Sequence, residues 1–124
     1  MCGPGPSNSV TIVVSATKPN PFPPTISDGT NVGSTQSGDE NLTTNVGTGY
    51  TVTIKMGGDI SAINNIYPNL NSPNLFSKVP ALQPDGSWVG VIGTFPKNTT
   101  ESYSIDYTVD GILYTQDPKI MMNA

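Results

Sequence analysis

Apolar and polar residues alternate in several stretches of this chain, and a period of two marks strands that bury one face. From Ser9 to Ser15, Val10, Ile12 and Val14 alternate with Thr11 and Val13. In Tyr50-Thr-Val-Thr-Ile-Lys-Met56, Tyr50, Val52, Ile54 and Met56 fall on one face and Thr51, Thr53 and Lys55 on the other. Trp88 to Ile92 reads as a buried strand in which Gly90 leaves room for a large neighbour, either Trp88 or an aromatic across the sheet. Tyr103, Ile105, Tyr107 and Val109 alternate with Ser104, Asp106 and Thr108 and lead into Asp110-Gly111, a strong hairpin signal. A two-residue turn there pairs Val109 with Ile112, Tyr107 with Tyr114 and Ile105 with Gln116. The first two pairs set apolar residues from both strands on one face, which checks the register independently.

The intervening segments carry turn chemistry. Residues 1–8 read as a flexible Gly/Pro tether, which leaves 9–124 as a single domain. Lys18 to Pro24 holds four prolines and predicts an extended, polyproline-like crossover or an irregular edge. Asp28 to Asn45 reads as a long loop or a loosely paired edge. Gly57-Gly58 breaks the second strand. Asp59 then caps either one helical turn carrying Ile60, Ile63 and Tyr67 or a short strand, and Pro68 ends both versions. Asn69 to Asp85 again reads as loop, with a Pro84-Asp85-Gly86 turn. Pro118 removes a ladder donor, so Lys119 to Asn123 is expected on a sheet edge or after a switch of sheet. The pattern predicts an all-β fold, an antiparallel β-sandwich of roughly six to eight strands with an immunoglobulin-like plan. A small closed barrel is the competing architecture.

Composition narrows the function classes. Ser, Thr, Asn, Gly and Pro make up 64 of 124 residues, a profile of turns and short strands. Five lysines, no arginine and nine carboxylates give a net charge of -4. Binding phosphates takes clustered basic residues, and Lys18, Lys55, Lys78, Lys97 and Lys119 stand singly, so neither nucleic acid nor an anionic membrane surface is an expected partner. No apolar run reaches the length of a membrane span. The start lacks a basic and apolar leader, which places the protein in the cytoplasm if that start is native and at the surface or outside the cell if a leader was removed. Cys2, the lone cysteine, is either a free thiol or, by resemblance to processed bacterial lipoproteins, a lipidated end.

Without histidine, Ser-His-Asp and Cys-His constellations and His-containing zinc sites are excluded. Asp106, Asp110, Glu101 and Asp117 leave a glycosidase-like carboxylate pair formally open. Alternation places Asp106 opposite the apolar face and Asp110 in the turn, so both read as solvated, and no enzymatic activity or cofactor is expected. Asp28-Gly-Thr-Asn31 and Asp39-Glu-Asn41 offer oxygen ligands for calcium, but neither matches the twelve-residue calcium loop, and both read as plain turns. Trp88 is the candidate glycan contact among the aromatics Tyr50, Tyr67, Tyr103, Tyr107 and Tyr114, although a single tryptophan in a sandwich is more often core. Sequons at Asn41 and Asn98 would mark surface loops. One Thr-x-Thr pair, Thr51 and Thr53, falls short of an ice-binding array.

The ending, Tyr103-Ser-Ile-Asp-Tyr-Thr-Val109 through Tyr114-Thr-Gln-Asp-Pro-Lys-Ile120, resembles the close of bacterial AidA/PixA-type inclusion-body proteins, in which a hairpin leads to an aromatic-x-x-Asp-Pro-x-Ile segment. The likeness covers about the last twenty residues, and Gln116 stands where that family usually has tryptophan. It implies a β-sandwich that accumulates or associates with itself. The expected function is therefore a non-enzymatic structural or interaction module, self-associating or bound to a protein partner, with a small carbohydrate-binding module as the alternative.

Overall fold

Alternation becomes strand over most of the chain in the computed structural model, which describes residues 9–22, 24–28, 32–34 and 43–122. Those residues form eleven strands: β1 (Ser9–Ala16), β2 (Thr25–Ser27), β3 (Val32–Ser34), β4 (Thr43–Val46), β5 (Thr51–Gly58), β6 (Ile60–Pro68), β7 (Phe76–Leu82), β8 (Trp88–Ile92), β9 (Thr100–Val109), β10 (Ile112–Gln116) and β11 (Lys119–Met122). The first sheet runs β3-β2-β1-β5-β8-β7; in the second, β9 pairs with β6 on one side and with β10 and β11 on the other, and β4 lies beyond β11. Ile12, Val14, Val52, Ile54 and Ile92 from the first sheet share one buried cluster with Ile63, Ile105, Tyr107 and Ile120 from the second.

Two expectations are corrected. There are more than eight strands among the described residues, and the sheets are mixed rather than antiparallel: β1 runs parallel to β5, and β4 parallel to β11. Parallel neighbours need a crossover. Here the chain leaves β1, passes through β4 of the other sheet, and returns as β5 to the end where β1 began, with Ser9 beside Thr51. The segment between 28 and 45, expected as a long loop or a loosely paired edge, thus contributes an edge strand, β3, and the parallel strand β4.

The helical option after Asp59 is also corrected. Ile60, Ile63 and Ile66 are buried at a spacing of three, which imitates a helix face, yet they lie in strand β6. Register shifts between Ile60 and Ala62 and between Ile63 and Asn65 each insert an extra residue, so the inward positions fall three apart. Asp59 caps a turn instead: its carboxylate accepts the Lys18 N–H at 2.9 Å, and its own N–H donates to Ala16 O at 2.7 Å.

The loop expected over 69–85 contains β7, whose alternation is erased by its own register shifts and which buries only Phe76 fully. Phe76 is the large neighbour that Gly90 accommodates: a Cβ on Gly90 would lie 2.8 Å from Phe76 Cδ1. The partner therefore sits on the adjacent strand of the same sheet.

Pro118 marks neither an edge nor a switch of sheet. Ile112 pairs with Val109, Gln116 with Ile105 and Lys119 with Ser102, so β10 and β11 follow one unbroken register along β9. Tyr103 N–H still donates to Pro118 O at 3.1 Å, and only the reciprocal bond that proline cannot make is lost. β11 lies inside the sheet, between β9 and β4.

Gly58 delivers the chain from the first sheet to the second. Its φ is +63°, and a Cβ there would fall 2.3 Å from Ala16 O, a backbone atom fixed by the parallel pairing. Gly58→Ala is expected to lower stability by about 2 kcal/mol or more through strain and clash together. Urea denaturation of the two proteins checks this; equal midpoints would refute the assigned backbone geometry.

Candidate functional site

The C-terminal hairpin gathers the distinctive chemistry of the molecule. Asp110 (φ +52°) and Gly111 (φ +80°) both adopt the left-handed conformation that a tight two-residue turn requires, and the expected pairs, Val109 with Ile112, Tyr107 with Tyr114 and Ile105 with Gln116, are the observed ones. In such a turn the pair next to it exchanges both backbone hydrogen bonds, and every second pair does likewise. The Tyr103 N–H bond to Pro118 O confirms this phase six pairs further on. Ile112, Tyr114 and Gln116 therefore direct their N–H and C=O groups at β9, whereas Leu113 and Thr115 direct theirs outward.

On the inner face, Tyr103, Ile105, Tyr107 and Val109 are buried, as alternation requires. Tyr107 stacks on Tyr114 at a centroid distance of 5.6 Å, and Tyr114 stacks on Phe22 at 6.3 Å. The Tyr107 hydroxyl donates to Pro21 O at 2.8 Å. The proline-rich crossover is thus tied to the hairpin by one hydrogen bond and one ring contact, that of Phe22 with Tyr114.

On the outer face, Asp106 Oδ1 accepts from the Tyr67 hydroxyl at 3.2 Å and from Thr115 Oγ1 at 2.6 Å. Thr108 Oγ1 donates to Asn64 at 2.6 Å, Asn69 donates to Ser102 Oγ at 2.7 Å, and the Ser104 hydroxyl donates to Asn69. These bonds make a polar carpet across β6, β9 and β10.

Glu101 lies at the other end of β9, on the inner face opposite Ile120, and is 1% exposed. Its carboxylate accepts the Leu75 N–H at 2.7 Å, fastening the second sheet to the segment that enters β7 of the first. Burial pushes this carboxyl up to about 7 from an ordinary 4.5, against the opposing pull of the Leu75 bond. Burial likewise pushes the Tyr103 hydroxyl up, helped by the charges of Glu101 and Asp28. The Tyr103 hydroxyl and Gln116 Nε2 have no hydrogen-bond partner among the described residues.

The four carboxylates considered for catalysis are dispersed. Glu101 is buried inside; Asp106, five positions on, faces out; Asp110 sits exposed in the turn; and Asp117 is half-buried next to Pro118. Trp88 is half-buried against the core, and its indole N–H donates to Ile63 O across the two sheets at 3.1 Å. Asp28 accepts from Thr44 Oγ1 at 2.7 Å. The rest of the two calcium candidates, the sequon at Asn41, the 1–8 tether and Cys2 lie outside the described residues. Asn98 is exposed in a turn, as its sequon requires, with its N–H bonded to Met122 O. Thr51 and Thr53 stand beside Val91 and Val89 on the outer face of the first sheet. Among the described residues no group of three or more His, Cys, Asp or Glu converges on one point, and no helix is long and apolar enough to cross a membrane.

The role of Glu101 as a buried tether escaped the sequence reading, although parity with Tyr103 and Ile105 places it on the inner face. A carboxylate in a strand is ordinarily assigned to solvent, and here the Leu75 N–H supplies a partner that sequence cannot show.

The geometry defines an all-β protein of two mixed sheets. Neither protein-family models nor curated proteins yield a match to this chain.

Because the folded chain holds the Glu101 proton more tightly than the unfolded chain does, this group's contribution to stability is complete below about pH 4.5 and is lost as pH rises through about 7. The loss amounts to as much as about 3 kcal/mol. Glu101→Gln keeps an acceptor for Leu75 and removes the charge, so the difference between the two proteins is expected to grow in the variant's favour from pH 4.5 to 7. Urea denaturation across that range checks it; a constant difference would refute the assignment.

Proposed function

We propose that the chain is a non-enzymatic β-sandwich module, immunoglobulin-like in broad plan, that works by associating with protein surfaces, including copies of itself. The observation that carries this reading is the bare end of the hairpin. Ile112 and Leu113 are 56% and 59% exposed on opposite faces of the hairpin end, and Phe22, stacked on Tyr114, is 49% exposed; Leu70, Val79 and Leu82 are the other large aliphatic side chains exposed among the described residues. Exposed large apolar side chains favour contact with another protein over contact with water. The resemblance of the closing segment to inclusion-body proteins adds support for self-association. Two sheets around one core support the immunoglobulin-like plan, while the two parallel pairings depart from a purely antiparallel order.

A carbohydrate-binding reading draws on another face. Tyr67 is exposed on the outer side of β6 beside Asp106, Thr115 and Asn64, and an aromatic ring flanked by carboxylate and amide groups suits a sugar ring and its hydroxyls. The indole N–H of Trp88 is already engaged, so this reading moves from Trp88 to Tyr67.

Sedimentation velocity over a concentration series separates the two readings. Association is expected to deepen as concentration rises from micromolar to millimolar; a strict monomer throughout, together with saturable signals on a glycan array that Tyr67→Ala abolishes, would replace the first reading by the second.

A further inference from the structure

The strands at the sheet edges differ in how they meet solvent; β3 and β4 are short, with three and four residues. β7 carries Lys78 and Pro80 and is interrupted by two register shifts; β6 has two register shifts and ends at Pro68. Bulges, prolines and lysines on an edge all hinder the addition of a further strand. β10 has none of them. Its sequence is Ile-Leu-Tyr-Thr-Gln, without charge, proline or glycine, and all five residues pair with β9 in unbroken register. Among the described residues no strand pairs with its outer side, where Leu113 and Thr115 direct their backbone N–H and C=O groups.

We propose that β10 pairs antiparallel with β10 of a second copy of this chain, about a two-fold axis through Tyr114. The inference rests on the self-association reading and names its edge and register. The hydrogen-bond phase selects this arrangement. Centring on Tyr114 sets Leu113 of one copy opposite Thr115 of the other, so the outward N–H and C=O groups of both residues exchange four backbone hydrogen bonds across the axis. Antiparallel pairing keeps each face of the sheet continuous. The two Tyr114 rings meet on the inner face, extending the Phe22–Tyr114–Tyr107 stack, while Ile112 comes to lie opposite Gln116 and loses its exposure.

Charge favours a second copy as the occupant. Each chain is acidic overall, so contact between copies must avoid opposing carboxylates. No charged residue lies within the paired segment, so the acidic chains meet there without opposing carboxylates; beyond it the register sets Asp110 of each copy opposite Pro118 of the other, between Asp117 and Lys119. An isologous contact of this kind closes at the dimer.

Two variants test the edge. Thr115→Pro deletes an outward N–H that β9 does not use, and Leu113→Lys places a charge opposite Thr115; each is expected to weaken the dimer at least tenfold by sedimentation velocity, with the far-UV circular dichroism retained. Register is read in a Cys2→Ser background. Under oxidation, Tyr114→Cys is expected to give a covalent dimer, because residues facing each other in a non-hydrogen-bonded pair lie roughly 4.5–5.5 Å apart at Cβ. Leu113→Cys, facing Thr115, is expected to stay uncrosslinked. A dimer that neither edge variant disturbs, or equal crosslinking at 113 and 114, overturns this edge and leaves the self-association reading standing. A wild-type protein monomeric at every concentration overturns both.

Discussion

One register governs the second sheet. Asp110 and Gly111 take the left-handed conformation at adjacent positions, and the pairing that this turn starts runs from Val109 and Ile112 to Thr100 and Met121 without a shift. The buried positions of both strands follow from that phase. So do the two ladders on either side, because β6 must meet the opposite side of β9 and β4 the outer side of β11. A shift of one residue would send Tyr103, Ile105, Tyr107 and Ile120 to solvent and Asp106 and Lys119 into the core, which is why the arrangement is so strongly specified.

Around this hairpin, polar groups fasten the two sheets to each other. Glu101 holds the Leu75 N–H, Trp88 reaches Ile63 O, and Tyr107 reaches Pro21 O. Each bond joins a side chain of one sheet to backbone belonging to the other sheet or to the segments that leave it. These contacts orient the sheets in a way that apolar burial, which has no direction, does not. The carboxyl of Glu101 makes one of them sensitive to pH, since its burial favours the protonated form.

The same register produces the exposed edge. Strict alternation leaves Leu113 and Thr115 with backbone groups facing away from β9, and Ile112 and Leu113 reach beyond the shared core near the turn. The bulged and proline-bearing β6 and β7 show the opposite compromise, in which irregularity limits both alternation and accessibility.

Alternation by itself determined β1, β5 and the hairpin, the last down to its paired residues, because a period of two and an Asp-Gly turn are local properties of the chain. It also contained the inward position of Glu101. Three things were decided only by the tertiary structure. The parallel pairings depend on how the chain crosses between sheets, and no local pattern records a crossover. The threefold spacing of Ile60, Ile63 and Ile66 comes from bulges that exist only against β9, so the same residues read equally as one turn of helix. Pro118 breaks a ladder on its own account, yet stays inside the sheet because Tyr103 still donates to it and the register on either side carries the strand through. In each case a partner distant in sequence supplied the constraint, and pairing between distant segments is what a single chain read along its length does not display.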